Sequence, residues 1–314
     1  MNEKTKQALL VYHRVDNDGR ISHILCYNHL VRLGYTVTSF GYDYGDNLEE
    51  LKTLINNRSL TDFDEIYAVD IAPDWLLGDS DLFDKLVWID HHATTVAKFH
   101  SGIRGIRRVG TAACRLCWRW SHINTEQEPY FLKLVGEADV GDFSDPASKP
   151  LSVALSGYDD TKLTAFVNLQ LTSDNFSASK ILISAANEGQ AVIEHQRHRV
   201  DDYLKHSLSY FAISGVRFYF VNTGAFEVGP ILDGLIRIYP DLEDKAQALF
   251  AWRYDGKTVH VSLRAMPFAS ADLLDLSPIA VKFGGGGHAK ACGFTLSLDR
   301  LCEEFSWLAV KITV

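Results

Sequence analysis

The sequence of 314 residues lacks features that mark several classes of protein. It contains no apolar run that approaches membrane-spanning length, and its start, Met1 to Gln7, has no long apolar segment. Only 8 residues are proline and 46% are hydrophobic, which excludes a disordered chain and allows a large core. We therefore expect a soluble, cytoplasmic, globular protein with room for two domains and no membrane partner.

Positive charge and cysteine are also scarce. The formal net charge is -9, which argues against a protein that coats duplex DNA by bulk electrostatics, so any nucleic-acid substrate should be short or held locally. The cysteines number five and are scattered, and Cys114-x-x-Cys117 lacks the second Cys or His pair of a structural zinc site. We interpret them as reduced core thiols.

Three short apolar runs each end in carboxylates or histidines. They are Ala8 to Tyr12, Glu65 to Val69 and Leu86 to Ile89, and none shows the alternation of a half-buried strand. Helical patterns separate them, which predicts a parallel α/β sheet whose carboxyl edge gathers the residues that follow each run. Those residues are His13, Asp16, Asp18, Asp70, Asp90, His91 and His92. Carboxylate and imidazole ligands suit Mn²⁺, so the pattern predicts a polynuclear metal site.

Other acidic residues of this half are more ambiguous. Tyr35 to Tyr42 is predicted to be a strand, and the acidic run from Asp43 to Glu50 is interpreted as a solvated surface. A helix from Tyr130 to Ala138 precedes Asp139 and Asp142, and either carboxylate is a candidate for one further ligand position.

The second half of the chain has a different pattern. Ser144 to Gly157 is rich in Ser, Pro and Asp and is predicted to be a loop, and a long polar helix from Ala178 to Ser207 is interpreted as a linker between domains. Beyond it, strand patterns pair across Asp255-Gly256, a hairpin turn signal. The fold class is thus α/β: a parallel-sheet metal-binding domain over 1–185, a helical linker over 186–208, and a smaller α+β domain with a mixed sheet over 209–314.

A glycine run lies near the C-terminus. Gly284, Gly285, Gly286 and Gly287 precede His288, and such a run lets the backbone approach a ligand and point N–H groups at an anion.

Together these residues resemble a known family. His13-x-x-Asp16-x-Asp18-Gly19, Asp70, Asp90-His91-His92 and Asp139 resemble the four motifs of the DHH phosphoesterase superfamily. This superfamily includes the RecJ exonucleases, the nanoRNases, the cyclic-dinucleotide phosphodiesterases and the family II pyrophosphatases. The segment from Phe283 to Phe294 resembles the substrate-binding motif of the DHH-associated domain, and Val259 to Arg264 resembles the strand before it.

The resemblance implies a role for each matching residue. One Mn²⁺ would be held by His13, Asp16 and Asp70. A second would be held by Asp18, Asp70, His91 and Asp139, with Asp70 bridging and Mg²⁺ as the alternative ion. His92 would face the substrate phosphate, and Asp90 would orient either His91 or His92. The substrate would be bound by Arg264, Gly284, Gly285, Gly286, Gly287 and His288.

The resemblance also implies an activity. We expect a Mn²⁺-dependent phosphodiesterase that hydrolyses short single-stranded oligonucleotides or linear dinucleotides to 5′ mononucleotides in a cleft between the domains, by a hydroxide that two metals activate. A cyclic-dinucleotide phosphodiesterase, a 3′,5′-bisphosphate nucleotide phosphatase and a compact single-strand exonuclease are the alternatives. A homodimer is left open.

Overall fold

The computed structural model describes residues 5–43, 46, 48–55, 58–72, 74–93, 102–122, 127–224, 226–239, 246–267 and 274–304. Contacts within the chain divide it into two units, Met1–Ile193 and Glu194–Val314. The division falls inside a helix of 33 residues, Asn175–Ser207, which overlaps the segment that the sequence assigns to the linker.

The first unit contains a parallel sheet of four strands. The strands are β1 Lys6–His13, β2 Tyr35–Tyr42, β3 Glu65–Val69 and β4 Leu86–Ile89, in the order β2-β1-β3-β4. All described pairs in it are parallel, as the uninterrupted apolar runs predict. After β2 the chain crosses to the other side of β1, which makes the carboxyl end of β1 a topological switch point. Ligands of open α/β sheets bind at such points.

Helices cover both faces of this sheet. They are α1 Asn17–Arg32, α2 Glu49–Leu54, α3 Asp74–Leu77, α4 Ala113–Ser121, α5 Tyr130–Asp139, α6 Ser148–Ser156, α7 Asp160–Thr172 and α8 Asn175–Ser207. Alternate residues of β3 enter different cores. Tyr67 and Val69 pack with α1, α4 and α5, whereas Ile66 and Ala68 pack on the opposite face. Burial on both faces holds the strand ends in fixed positions.

Helix α6 corrects a prediction, because Ser144 to Gly157 was expected to be a loop. Pro150 is the third residue of α6, within the first turn, where backbone N–H groups have no partner inside the helix and none is lost. Leu151, Ala154 and Leu155 share one face and are buried in the core. The Ser- and Pro-rich composition concealed this short apolar face.

The second unit contains a mixed sheet of six strands. The strands are β5 Ser209–Ile213, β6 Val216–Asn222, β7 Ala248–Tyr254, β8 Val259–Ala265, β9 Gly286–His288 and β10 Ala291–Leu296. Its order is β5-β6-β7-β8-β10-β9, with β6 and β7 parallel and the other neighbours antiparallel. The expected α+β domain with a mixed sheet is confirmed, and the hairpin over Asp255-Gly256 joins β7 to β8.

Both faces of the second sheet are also buried. One face is rich in phenylalanine, including Phe218 and Phe250, and packs with helices α10 Ser277–Lys282 and α11 Leu298–Glu304. The other face packs with the end of α8 and with α9 Val228–Ile238. Among the helices that the structure describes, none has the length and apolar character needed to cross a membrane.

Candidate metal centre

The predicted metal ligands lie at the carboxyl edge of the first sheet. His13 is the last residue of β1, Asp70 follows β3, and His91 lies two residues after β4. Asp16 is the N-cap of α1, where one carboxylate oxygen accepts a hydrogen bond from Gly19 N at 2.9 Å. Parallel strands deliver these residues to one place because all of their carboxyl ends point the same way.

Two groups of ligand atoms form around Asp70. His13 Nδ1 lies 2.7 Å from Asp16 Oδ2 and 3.5 Å from Asp70 Oδ2. His91 Nε2 lies 3.3 Å from Asp70 Oδ1, and it lies 3.6 Å from Asp18 Oδ2 and 3.3 Å from Asp139 Oδ2. Asp70 therefore presents one oxygen to each group. This is the arrangement that the resemblance implies for a bridging carboxylate.

The backbone holds the Asp70 side chain in this position. Asp70 has a φ of 56°, in the left-handed region that residues other than glycine rarely adopt. Its side chain is 1% exposed, and its Oδ1 accepts no hydrogen bond from the part of the chain that the structure describes. A buried carboxylate oxygen without a hydrogen bond is costly, and a cation would satisfy it.

Asp18 is held by the start of helix α4. Ala113 N donates to Asp18 Oδ2 at 2.7 Å and Cys114 N donates to Asp18 Oδ1 at 2.8 Å. These backbone N–H groups belong to the first turn of α4, where they have no partner inside the helix and where the helix dipole favours negative charge. The two bonds fix the orientation of a carboxylate that is fully buried.

The titration behaviour of the group reflects crowded carboxylates. Burial raises the pKa of Asp18 well above its ordinary value, with the nearby charges of Asp70 and Asp139 adding to the effect. Burial raises the pKa of Asp139 to about 6, while the hydrogen bond to Asp16 raises the pKa of His13 to about 10. Four carboxylates and three imidazoles in one cluster are the donor set of a site for hard divalent cations, so the residues fit Mn²⁺ or Mg²⁺.

Asp90 lies behind the cluster and positions His92. Asp90 is 0% exposed, and its Oδ1 accepts hydrogen bonds from His91 N at 2.7 Å and from His92 N at 3.3 Å. The same oxygen lies 2.7 Å from His92 Nδ1, and the hydrogen bond to Asp90 raises the pKa of His92. A proton on Nδ1 of His92 leaves Nε2 as the ring atom that is available to a substrate.

Asp139 and Asp142 differ in their surroundings. Asp139 ends α5 beside His91, whereas Asp142 is exposed and its Oδ1 accepts a hydrogen bond from Ser144 N at 3.0 Å. The structure therefore brings Asp139, and not Asp142, to the cluster.

Cysteines contribute no ligand to the candidate groups among the described residues. Cys26, Cys114, Cys117 and Cys292 are buried and Cys302 is exposed, and all five are free thiols.

The predicted substrate residues lie in the second unit. Gly286 to His288 form β9, an edge strand that pairs with β10. Ala291 of β10 is opposite both Arg264 and His288, so the side chains of Arg264 and His288 belong to one row on the same face of the sheet. Gly286, Gly287 and His288 thus lie two strands from Arg264, at nearly the same level of the sheet.

A cavity in the second unit adds residues that the sequence analysis did not identify. It has a volume of about 530 Å³ and is lined by Arg264 but by none of Gly284 to His288. Arg253 and His260 of the β7–β8 hairpin also line it, together with Glu227, Val228 and Gly229 at the start of α9. The pairing of β7 with β8 places Arg253 opposite His260. The hairpin turn signal at Asp255-Gly256 indicates that these two strands pair, and it could have pointed to Arg253 and His260.

Asp43 was also missed at the first unit's site. It was interpreted as part of a solvated acidic run, yet its Oδ1 lies 3.4 Å from His13 Nε2. The sequence does not show that β2 lies next to β1, and only that pairing brings Asp43 to His13.

Comparisons with known proteins identify the fold. No protein-family model and no curated protein sequence matches this chain. The DHH domain of a protein described as a member of a family of ribosomal proteins is 13% identical with a TM-score of 0.56, and the alignment covers 98% of this chain and 86% of that one. The pGpG-specific phosphodiesterase PggH from Vibrio cholerae is 13% identical with a TM-score of 0.55, covering 98% of this chain and 99% of that one.

The exonuclease RecJ bound to manganese is similar over nearly the same span. It is 15% identical with a TM-score of 0.50, and the alignment covers 96% of this chain and 88% of that one. Identities this low establish the fold alone, and they confirm the expected resemblance at that level: the chain has the fold of the DHH-domain proteins.

Proposed function

We propose that this protein is a phosphodiesterase of the DHH superfamily that depends on a divalent cation, Mn²⁺ first and Mg²⁺ as the alternative. The observation that carries the proposal is the position of Asp70 between two groups of ligand atoms, with one oxygen facing His13 and the other facing His91. One group would be completed by Asp16, and the other by Asp18 and Asp139. A bridging carboxylate between two such groups is typical of enzymes that hydrolyse phosphate esters.

The residues of the candidate metal centre would have separate roles. Two bound cations would supply an activated water and neutralise charge on the phosphate. Asp70 holds the two ligand groups together, and the backbone N–H groups of α4 hold Asp18. Asp90 keeps the proton on His92 Nδ1, so that His92 Nε2 is directed to the phosphate of the substrate. In this role His92 binds and orients the phosphate while Asp90 acts through it.

The second unit would bind the rest of the substrate. Arg264, Arg253 and His260 around its cavity are suited to an anion, and the start of α9 adds backbone N–H groups. We propose the same role for the backbone of Gly284, Gly285, Gly286 and Gly287 and for His288. A terminal nucleotide with its phosphate would use both these cationic side chains and the cavity volume of about 530 Å³.

Short single-stranded oligonucleotides or linear dinucleotides are the proposed substrates, cleaved to 5′ mononucleotides. The net charge of -9 disfavours long-range capture of a polymer, which an extended basic groove would provide. PggH, whose fold the chain shares, is described as specific for the linear dinucleotide pGpG, and this supports a small substrate.

The test is hydrolysis of a substrate panel with and without Mn²⁺, comparing the wild type with Asp70→Ala. The panel contains a labelled dinucleotide, a five-mer, a long single strand, cyclic dinucleotides, 3′,5′-bisphosphate adenosine and pyrophosphate. We expect rapid cleavage of the shortest substrates only with the cation, and a loss of at least about 1000-fold in Asp70→Ala. Asp142→Ala, which removes an exposed carboxylate close to Asp139 in the sequence but outside the cluster, should retain wild-type activity.

The panel also separates the alternatives. Preference for a cyclic dinucleotide, for the bisphosphate nucleotide or for the long strand would replace the proposed substrate while keeping the catalytic site. Full activity of Asp70→Ala, or turnover that does not respond to any divalent cation, would contradict the proposed function itself.

A further inference from the structure

His13 contacts carboxylates on both sides of its ring. Its Nδ1 lies 2.7 Å from Asp16 Oδ2 and 3.5 Å from Asp70 Oδ2, inside the candidate metal centre. Its other nitrogen, Nε2, lies 3.4 Å from Asp43 Oδ1. Asp16 and Asp70 are themselves candidate ligands, whereas Asp43 belongs to none of the groups of ligand atoms found among the described residues.

The pairing of β1 with β2 explains why Asp43 is there. His13 is opposite Tyr42 in the register of the sheet, and Arg14 N donates to Tyr42 O at 3.2 Å. The next residue, Asp43, therefore leaves β2 at the same edge at which His13 leaves β1. Asp43 N donates to Asp46 Oδ2 at 2.8 Å, which fixes the backbone of Asp43.

The chemistry of an imidazole ligand assigns Asp43 a role. An imidazole binds a metal through one nitrogen and carries a proton on the other, and a carboxylate that accepts this proton fixes the ring and raises its basicity. Because Nδ1 of His13 faces the other ligands, Nε2 would carry the proton and Asp43 would accept it. The side chain of Asp43 is 41% exposed and that of His13 is 14% exposed, so the contact lies at the rim of the centre.

We infer that Asp43 is a positioning residue that orients His13 for binding of the cation shared with Asp16 and Asp70. The inference rests on the proposed function, because it requires His13 to be a ligand. The inference goes beyond the proposed function because it names a residue outside the ligand groups that sets the affinity of one of the two cation sites.

The test is a double-mutant cycle read by Mn²⁺ binding to the full chain. Calorimetric titration of Mn²⁺ would be made on the wild type, Asp43→Asn, His13→Ala and the double variant, each after removal of metal. We expect Asp43→Asn to weaken one Mn²⁺ site by roughly 10- to 100-fold and to leave the other unchanged. If Asp43 acts through His13, the double variant should bind no more weakly than His13→Ala.

Glu49→Gln is the matched control for the lost charge. Glu49 lies in α2, the first helix after Asp43 in the sequence, and its exposed carboxylate pairs with Lys52 at 2.6 Å. The Mn²⁺ affinity of Glu49→Gln should equal that of the wild type. The free energy of unfolding of the metal-free Asp43→Asn variant should also match that of the metal-free wild type.

The other outcomes separate this inference from the proposed function. Equal Mn²⁺ affinity of Asp43→Asn and the wild type would overturn the inference alone. Additive losses in the double variant would also overturn it, because Asp43 would then act independently of His13. A wild type that binds no Mn²⁺ at all would overturn both.

Discussion

At the scale of single residues, the surroundings of a histidine decide its charge. The hydrogen bond to Asp16 raises the pKa of His13 to about 10. Burial lowers the pKa of His23 to about 4, although His23 is only ten positions away in the sequence. His23 stacks on Tyr12 with ring centroids 4.1 Å apart, and its Nε2 lies 2.8 Å from Ser39 Oγ. The native protein thus keeps His23 neutral under conditions where an exposed histidine is half protonated.

This difference predicts a pH dependence of stability. Between its ordinary pKa of 6.5 and its native pKa of about 4, His23 binds a proton in the unfolded chain but not in the native one. The stabilisation is therefore complete above pH 6.5 and is lost as the pH falls toward 4, by roughly 3 kcal/mol. In His23→Gln, which keeps a side chain able to bond Ser39, this part of the pH dependence should disappear.

The measurement is urea unfolding of both proteins at about pH 7, 5.5 and 4.5, which spans the window between the two pKa values. Buried carboxylates titrate in both proteins, so the wild-type minus variant difference isolates His23. Parallel curves for the two proteins over this range would contradict the prediction.

At the scale of elements, the site depends on how closely α1 approaches the end of β1. A Cβ built on Gly19 would lie 2.0 Å from His13 O, far inside van der Waals contact. Only glycine allows the first turn of α1, which carries Asp18, to pack against the strand end that carries His13. The glycine of the sequence motif is thus explained by packing rather than by flexibility.

Gly19→Ala should therefore damage the site through the backbone. The helix must shift away from His13, so we expect a loss of about 1–3 kcal/mol in the free energy of unfolding and at least roughly tenfold weaker Mn²⁺ binding. Gly229→Ala is the control, since Gly229 is also in the first turn of a helix and a Cβ there would meet no described atom within 4 Å. Unfolding in urea and Mn²⁺ titration of both variants test this, and a Gly19→Ala protein with wild-type Mn²⁺ affinity would refute it.

The sequence predicts which strands form better than it predicts which strands pair with each other. Apolar runs that end at His13, Asp70 and Asp90 predict a parallel sheet with its functional residues at one edge. Strands that are buried on both faces are continuously apolar, and this distinguishes them from the alternating strands of a half-buried sheet. Pairing is a different matter. Nothing in the sequence from Tyr35 to Tyr42 indicates that this strand pairs with β1. Asp43, the residue after it, was therefore interpreted as solvated.

One short helix was predicted wrongly, and one short strand was not predicted, for a related reason. The nine-residue helix α6 has its apolar face in three side chains, and β9 consists of Gly286, Gly287 and His288. Glycine has no strand preference, so β9 exists only because β10 offers it a partner. Such short elements form because of tertiary contacts, which cannot be predicted from local composition.

At the scale of the whole molecule, the two units carry complementary chemistry. The first gathers carboxylates and imidazoles that suit cations, and the second gathers Arg253, His260 and Arg264 around a cavity that suits an anion. Each unit has its own buried cores on both faces of its sheet. Changes in the second unit should therefore affect substrate binding without affecting the cation sites.

Arg264→Met tests this division of labour. Methionine keeps an apolar stem but removes the guanidinium, whose Nη1 donates to Leu263 O at 2.9 Å and which lines the cavity. A charge-assisted hydrogen bond to a phosphate contributes about 1.5–3 kcal/mol, so KM for the shortest active oligonucleotide should rise by about tenfold or more. The Mn²⁺ affinity should stay at the wild-type value, as should the activity of Arg300→Met, which removes a positive charge of the same unit outside the cavity lining. Steady-state kinetics with calorimetric Mn²⁺ titration would decide: an unchanged KM removes Arg264 from substrate binding, and a lowered Mn²⁺ affinity contradicts the separation of the two units' roles.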